Sequence, residues 1–118
     1  MLSRGLISGH WQKDATGSGD FRAYSPRFQA ANIDANLGLL EALREVAEGM
    51  SVSVAQTAIA WVAGQGNDII PLVGAGRRDH LAEALAAVGL RLSSKDMAAI
   101  ERAVPRDAAA GSRYPRRQ

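Results

Sequence analysis

Cysteine is absent from the 118 residues. That excludes disulfides, thiolate metal sites and a cysteine nucleophile, and it fits a reducing compartment. Lysine is nearly absent too, with only Lys13 and Lys95. The two histidines, His10 and His80, have no acid cluster beside them in the sequence, so no metal site is expected. Aromatics are few and the net charge is +2, which argues against nucleic acid and against an acidic membrane surface as partners. No apolar run is long enough to span a bilayer. The first nine residues lack the apolar core of a signal peptide. A cytoplasmic chain is expected.

What is present is enough for one domain. Close to half the residues are apolar, which supports a packed core and excludes compositional disorder. The basic surplus is local, with five arginines against the single acid Asp107 from Arg102 onward. This arginine-rich end reads as a solvated terminus.

Residues 1–27 are broken by Gly5, Gly9, Gly17 and Gly19 and closed by Pro26. They read as a long loop with a strand remnant over Met1 to Leu6. Asn36 to Glu48 has Leu37, Leu40, Leu43 and Ala47 at helical spacing, and Gly49 ends it. Ser53-Val54-Ala55-Gln56 has the form of a capping box. The helix it opens, Ala55 to Ala63, is apolar nearly all round and must be covered on most sides. Ile69 to Val73 reads as a buried parallel strand, with Pro71 counting against a central position. A helix from about Arg78 to Val88 carries Leu81, Leu85 and Val88 on one face. Ser93 and Ser94 are candidate caps for a last helix with Met97, Ile100 and Val104 as its stripe, and Pro105 stops it. The tail from Ala108 is expected to be extended or disordered. A single convincing strand cannot make a sheet. It requires neighbours outside these residues.

Ile70-Pro71-Leu72-Val73-Gly74-Ala75-Gly76-Arg77-Arg78, followed by Leu81 and Glu83, resembles the last barrel strand and turn of the aldo/keto reductases. Leu2 to Gly9 is similar to the end of their seventh strand. Asp20-Phe21-Arg22 with Pro26-Arg27-Phe28 is similar to the loop that follows, and Ala110 to Pro115 to their C-terminal tail. The resemblance implies an α/β fold, a fragment of a (β/α)8 TIM barrel holding strands 7 and 8 with their helices, predominantly helical as it stands. In that frame residues 1–27 are the end of strand 7 and its loop, 28–66 a helical pair, 68–73 the last strand, 74–104 the cofactor turn and C-terminal helices, and 105–118 the tail. It also implies NADP(H) as cofactor and a small-molecule carbonyl substrate reduced by hydride transfer.

The implied cofactor residues are Leu2, Ser3, Gly5 and Leu6 along the pyrophosphate, Gly74, Ala75, Gly76 and Arg77 near the adenosine 2′-phosphate, and His80 and Glu83 toward adenine. His80 stands where many relatives carry arginine, and Ala84 where they usually carry asparagine. Spacing alone favours reading Gly74 to Arg78 as a plain strand-to-helix turn with solvated arginines, and the resemblance reverses that preference. Trp11, Phe21, Tyr24 and Phe28 either wall a substrate pocket or pack on the helices that follow. The family's catalytic aspartate, tyrosine, lysine and histidine lie upstream of the matching region. Tyr24, Tyr114, Lys13 and Lys95 do not match them, so no catalytic residue is assigned. The competing reading is a small helical interaction module without activity, associating with itself through exposed core surface.

Overall fold

Among the described residues, four α-helices and several 3-10 turns account for the regular structure. The computed structural model describes residues 2–12 and 19–115. The readings that fall on Met1, Lys13, Gly17 and residues 116–118 lie outside them. Helix α1 runs Ala30–Gly49, α2 Val54–Ala63, α3 Arg78–Ala86 and α4 Ser94–Ala103. Short 3-10 segments cover Ser3–Ser8, Phe21–Tyr24, Pro26–Phe28 and Ala87–Gly89.

α1 starts earlier than the sequence pattern suggests, because Ile33, only 2 % exposed, extends the buried stripe by about one turn. Leu40, Leu43 and Ala47 continue that stripe and meet Val54 of α2 and Ile100 of α4 in the main core cluster. Trp61 packs against the same cluster. The chain bends by 85° between α1 and α2, and Ser51, at φ 57, sits inside this corner. Both expected caps form. Ser53 accepts from the Gln56 amide while the Gln56 side chain accepts from the Ser53 amide. Ser93 and Asp96 make the same reciprocal pair at α4. Each box satisfies two amides that a bare helix start leaves orphaned.

The first departure from expectation concerns strands. No strand forms among the described residues. Leu2 to Leu6 folds back on itself, with the amides of Gly5 and Ile7 donating to the Leu2 carbonyl at 2.9 and 3.3 Å. Residues 68–73 carry no ladder, and Ile70 and Leu72 are 88 % and 86 % exposed. A strand exists only through hydrogen bonds to a neighbour, and neither segment has one.

Leu81, Leu85 and Val88, expected on one face of the α3 region, lie exposed. The small residues Ala84 and Ala87 are turned inward instead. An apolar stripe is buried only where a partner surface exists, and here α2 meets the other side of α3. The tail, in turn, is docked rather than free. Buried Asn36 donates through its side-chain amide to the carbonyls of Arg27 (3.0 Å) and Ala110 (2.9 Å), and its Oδ1 accepts from the Ala110 amide at 2.7 Å. No single helix among the described residues is long and apolar enough to cross a membrane.

Candidate functional site

The first turn of the chain and the N-terminal half of α3 face each other across a cleft of about 480 Å³. Gly5 makes the first turn possible. Its φ of 94°, next to Ser3 and Arg4 at 47° and 60°, lies in the left-handed region that glycine enters without steric cost. The reversal brings Leu2, Arg4, Gly5, Ser8, His10 and Trp11 to one wall. The opposite wall carries Val73, Gly74, His80, Glu83 and Ala84, with Ala55 and Ile59 of α2 below.

Glu83 is the hub. Its carboxylate accepts from His10 Nε2 at 3.0 Å, and its backbone carbonyl accepts from Gln56 Nε2 at 3.1 Å. The His10 and His80 rings stack, centroids 4.6 Å apart and planes within 14°. Burial pushes the Glu83 carboxyl up. Hydrogen bonds from His10 and Ser53 and the nearby imidazoles outweigh it, leaving the carboxyl below its ordinary value. Ala84 fills little volume at its position and leaves that corner of the cleft open.

Of the ten residues expected to hold a cofactor, Leu2, Gly5, Gly74, His80 and Glu83 line this cleft. Ser3 and Leu6 line a smaller pocket behind the first turn, against α1. Ala75, Gly76 and Arg77 are exposed beyond the cleft's edge. Arg77 is not a free cation. Its Nε and Nη2 donate to Asp79 at 3.0 and 2.8 Å. That fork holds the Asp79 carboxyl at about 2. A Cβ built on Gly74 or Gly76 meets nothing within 4 Å, so the backbone there stands open to an approaching group.

Sequence reasoning missed Arg4, His10 and Arg22 as members of the site. Arg22 is fixed by a fork onto Asp20, which also caps the Phe21–Tyr24 turn. The Arg22 side chain and its amide both donate to Asp20 and keep that carboxyl below its usual range. Only the short Asp20-Phe21-Arg22 motif signalled this in the sequence. His10 gave no signal, because its partners are His80 and Glu83, far along the chain. Trp11 lines the cleft and packs edge-on against Phe28 of the Pro26–Phe28 turn at 5.3 Å. Its buried indole nitrogen has no hydrogen-bond acceptor, an unsatisfied donor in the cleft wall.

Comparison with known proteins follows the same outline. The Aldo/keto reductase family profile matches residues 1–105. A protein of Schizosaccharomyces pombe named aldo-keto reductase yakc (NADP(+)) is 33 % identical over 115 residues, covering 97 % of this chain and 34 % of its own length. A probable aldo-keto reductase 1 of Glycine max is 34 % identical over 113 residues, covering 96 % and 33 %. The chain thus spans about a third of the length of the curated relatives it matches. No solved structure matches it.

Proposed function

Because the chain belongs to the aldo/keto reductase family, we propose that it is the C-terminal, NADP(H)-binding part of a carbonyl-reducing oxidoreductase. The carrying observation is the 480 Å³ cleft, which gathers Leu2 and Gly5 with Gly74, His80 and Glu83 from segments some seventy residues apart. Its volume lies within the range of about 300–1,000 Å³ typical of ligand sites. It suits part of a dinucleotide. The residues present fit such a group. Open backbone at Gly74 and Gly76 suits a phosphate, Arg77 is a guanidinium fork able to exchange Asp79 for phosphate oxygens, Glu83 is an acceptor for an amino group, and the Trp11 indole is an unpaired donor.

In this reading Gly74, Ala75, Gly76 and Arg77 hold the phosphate of the adenosine half. His80 and Glu83 face its base, in competition with His10. Leu2, Ser3, Gly5 and Leu6 border the pyrophosphate. When bound, NADPH supplies the hydride that reduces a carbonyl carbon. The family's fold is a (β/α)8 barrel. Segments 2–6 and 68–73 take their places as barrel strands when neighbouring strands are supplied, and the apolar face of Leu81, Leu85 and Val88 is then covered. The catalytic aspartate, tyrosine, lysine and histidine belong to those other parts.

Titration of the chain with NADPH, followed by cofactor fluorescence, tests the binding claim. A saturable change is expected, weakened in Glu83→Ala, and no change up to millimolar cofactor removes the claim. With NADPH and an aldehyde present, the chain alone is expected to show no cofactor consumption by absorbance. A second reading, a helical interaction module, is favoured by one observation. Ile70 and Leu72 are almost fully exposed, and apolar surface of that kind marks a contact surface.

A further inference from the structure

Three arginines meet in a second cleft, of whose lining the cofactor reading uses only Ser3. Ser3, Arg4, Ser25, Arg27, Phe28 and Arg113 enclose about 380 Å³. No carboxylate among the described residues lines it. The arginines come from the first turn, the Pro26–Phe28 turn and the C-terminal tail, so only the folded chain assembles them.

Among the described residues, neutral groups hold each guanidinium in place. Arg4 Nη1 donates to Ser25 Oγ at 3.0 Å, and Ser25 is only 3 % exposed. The Arg4 guanidinium also lies 5.2 Å from the Phe21 ring centre and 5.0 Å from that of Tyr114. Arg113 lies 5.5 Å from the same Tyr114 ring. Arg27 Nε reaches the Gly111 carbonyl at a long 3.4 Å. Aromatic faces hold the planes of guanidiniums while leaving their edges free. A guanidinium has five N–H donors, and these contacts use one of Arg4 and one of Arg27. Gathering like charges in a concave space costs electrostatic energy unless an anion sits among them. Forked N–H pairs match phosphate oxygens best, and several such forks together match a group carrying more than one charge.

We propose that this cleft is a binding site for the phosphate group of a small phosphorylated molecule. Arg4 lines both clefts, so the bound phosphate lies beside the candidate cofactor cleft. If the function proposed above holds, the carbonyl substrate itself is phosphorylated. That last step rests on the cofactor reading, whereas the phosphate site does not.

Isothermal titration of the whole chain with inorganic phosphate, at ionic strength held constant with sodium chloride, tests the site. Saturable binding is expected, weakened about tenfold by Arg113→Gln and again by Arg27→Gln, the loss typical of one charge-assisted hydrogen-bonding partner. Arg91→Gln, at an exposed arginine that lines neither cleft, is expected to leave it unchanged. Acetate in place of phosphate is expected to bind at least tenfold more weakly. Absent binding overturns the proposal, as does equal binding in the Arg27→Gln/Arg113→Gln double variant, loss in Arg91→Gln instead, or acetate matching phosphate. Arg113 is exposed, so its variant keeps the test meaningful if Arg27→Gln fails to fold. NADPH titration of the same samples separates the two claims. Phosphate binding without NADPH binding removes only the cofactor reading, and the reverse removes only this one.

Discussion

Asn36 and Glu83 show how single side chains set the shape of this molecule. Asn36 is 4 % exposed on an otherwise apolar helix stripe. A buried amide there is tolerated because it satisfies two carbonyls and one amide of other segments. Asn36→Ala strands those groups and is expected to cost about 2–3 kcal/mol in denaturant unfolding. A loss below about 0.5 kcal/mol, the ordinary surface value, would show that the tail is not held by this residue. Glu83 has a folded-state carboxyl pulled below its ordinary value. Its contribution to stability is therefore fully present above the unfolded carboxyl pKa and is lost as pH falls through the lower, folded value. The stability difference between the native chain and Glu83→Gln should be constant above about pH 5 and shrink at more acid pH, taking about 4.3 as the unfolded value. Melting temperatures across that range check it. A gap unchanged in acid would mean that the carboxylate makes no favourable ionic contact.

At the scale of elements, helix starts carry most of the local specification. The two capping boxes have the same chemistry, yet their burdens differ. Ser93 and Asp96 close only α4, on an exposed surface. Ser53 and Gln56 close α2 and also reach α3, since Gln56 Nε2 donates to the Glu83 carbonyl and Ser53 helps hold the Glu83 carboxyl below its ordinary value. Ser93→Ala is expected to cost about 1 kcal/mol, the usual value of an N-cap. Ser53→Ala should cost more, because it also loosens the seat of α3 on α2. Chemical unfolding of both variants gives the order, and an equal or larger loss at Ser93 would show that Ser53 acts as a cap alone. The capping boxes were legible in the sequence because their partners lie three residues apart. The seat of α3 was not, because Gln56 and Glu83 meet only after the chain has turned twice.

Across the whole molecule, the apolar surface is distributed unevenly. Leu40, Leu43, Ala47, Val54 and Ile100 form a closed cluster, whereas Ile69, Ile70 and Leu72 together with Leu81, Leu85 and Val88 remain open to solvent. The open set comprises the segment that the sequence read as a buried strand and the one-faced apolar stripe of α3. Its residue types were read correctly, but its burial needs a surface that these residues do not supply. Exposed apolar side chains in this number favour association. Sedimentation of the chain is expected to show self-association rising with concentration, and Ile70→Lys/Leu72→Lys should reduce it while leaving the helical circular dichroism intact. A native chain that stays monomeric at high concentration would argue that this surface is inert.

The sequence by itself determined the helices, their caps, the main core stripe and the family. These depend on spacings of three or four residues, or on short ordered motifs, which are local and survive in any context. Tertiary structure alone decided the two clefts. His10 meets Glu83, Asn36 meets Ala110, and Arg4 meets both Ser25 and Tyr114 only because a left-handed turn at Gly5 and the corner between α1 and α2 fold distant segments together. It also decided that no strand forms among the described residues. Strand pairing is a property of two segments, and here each candidate segment stands without its neighbour.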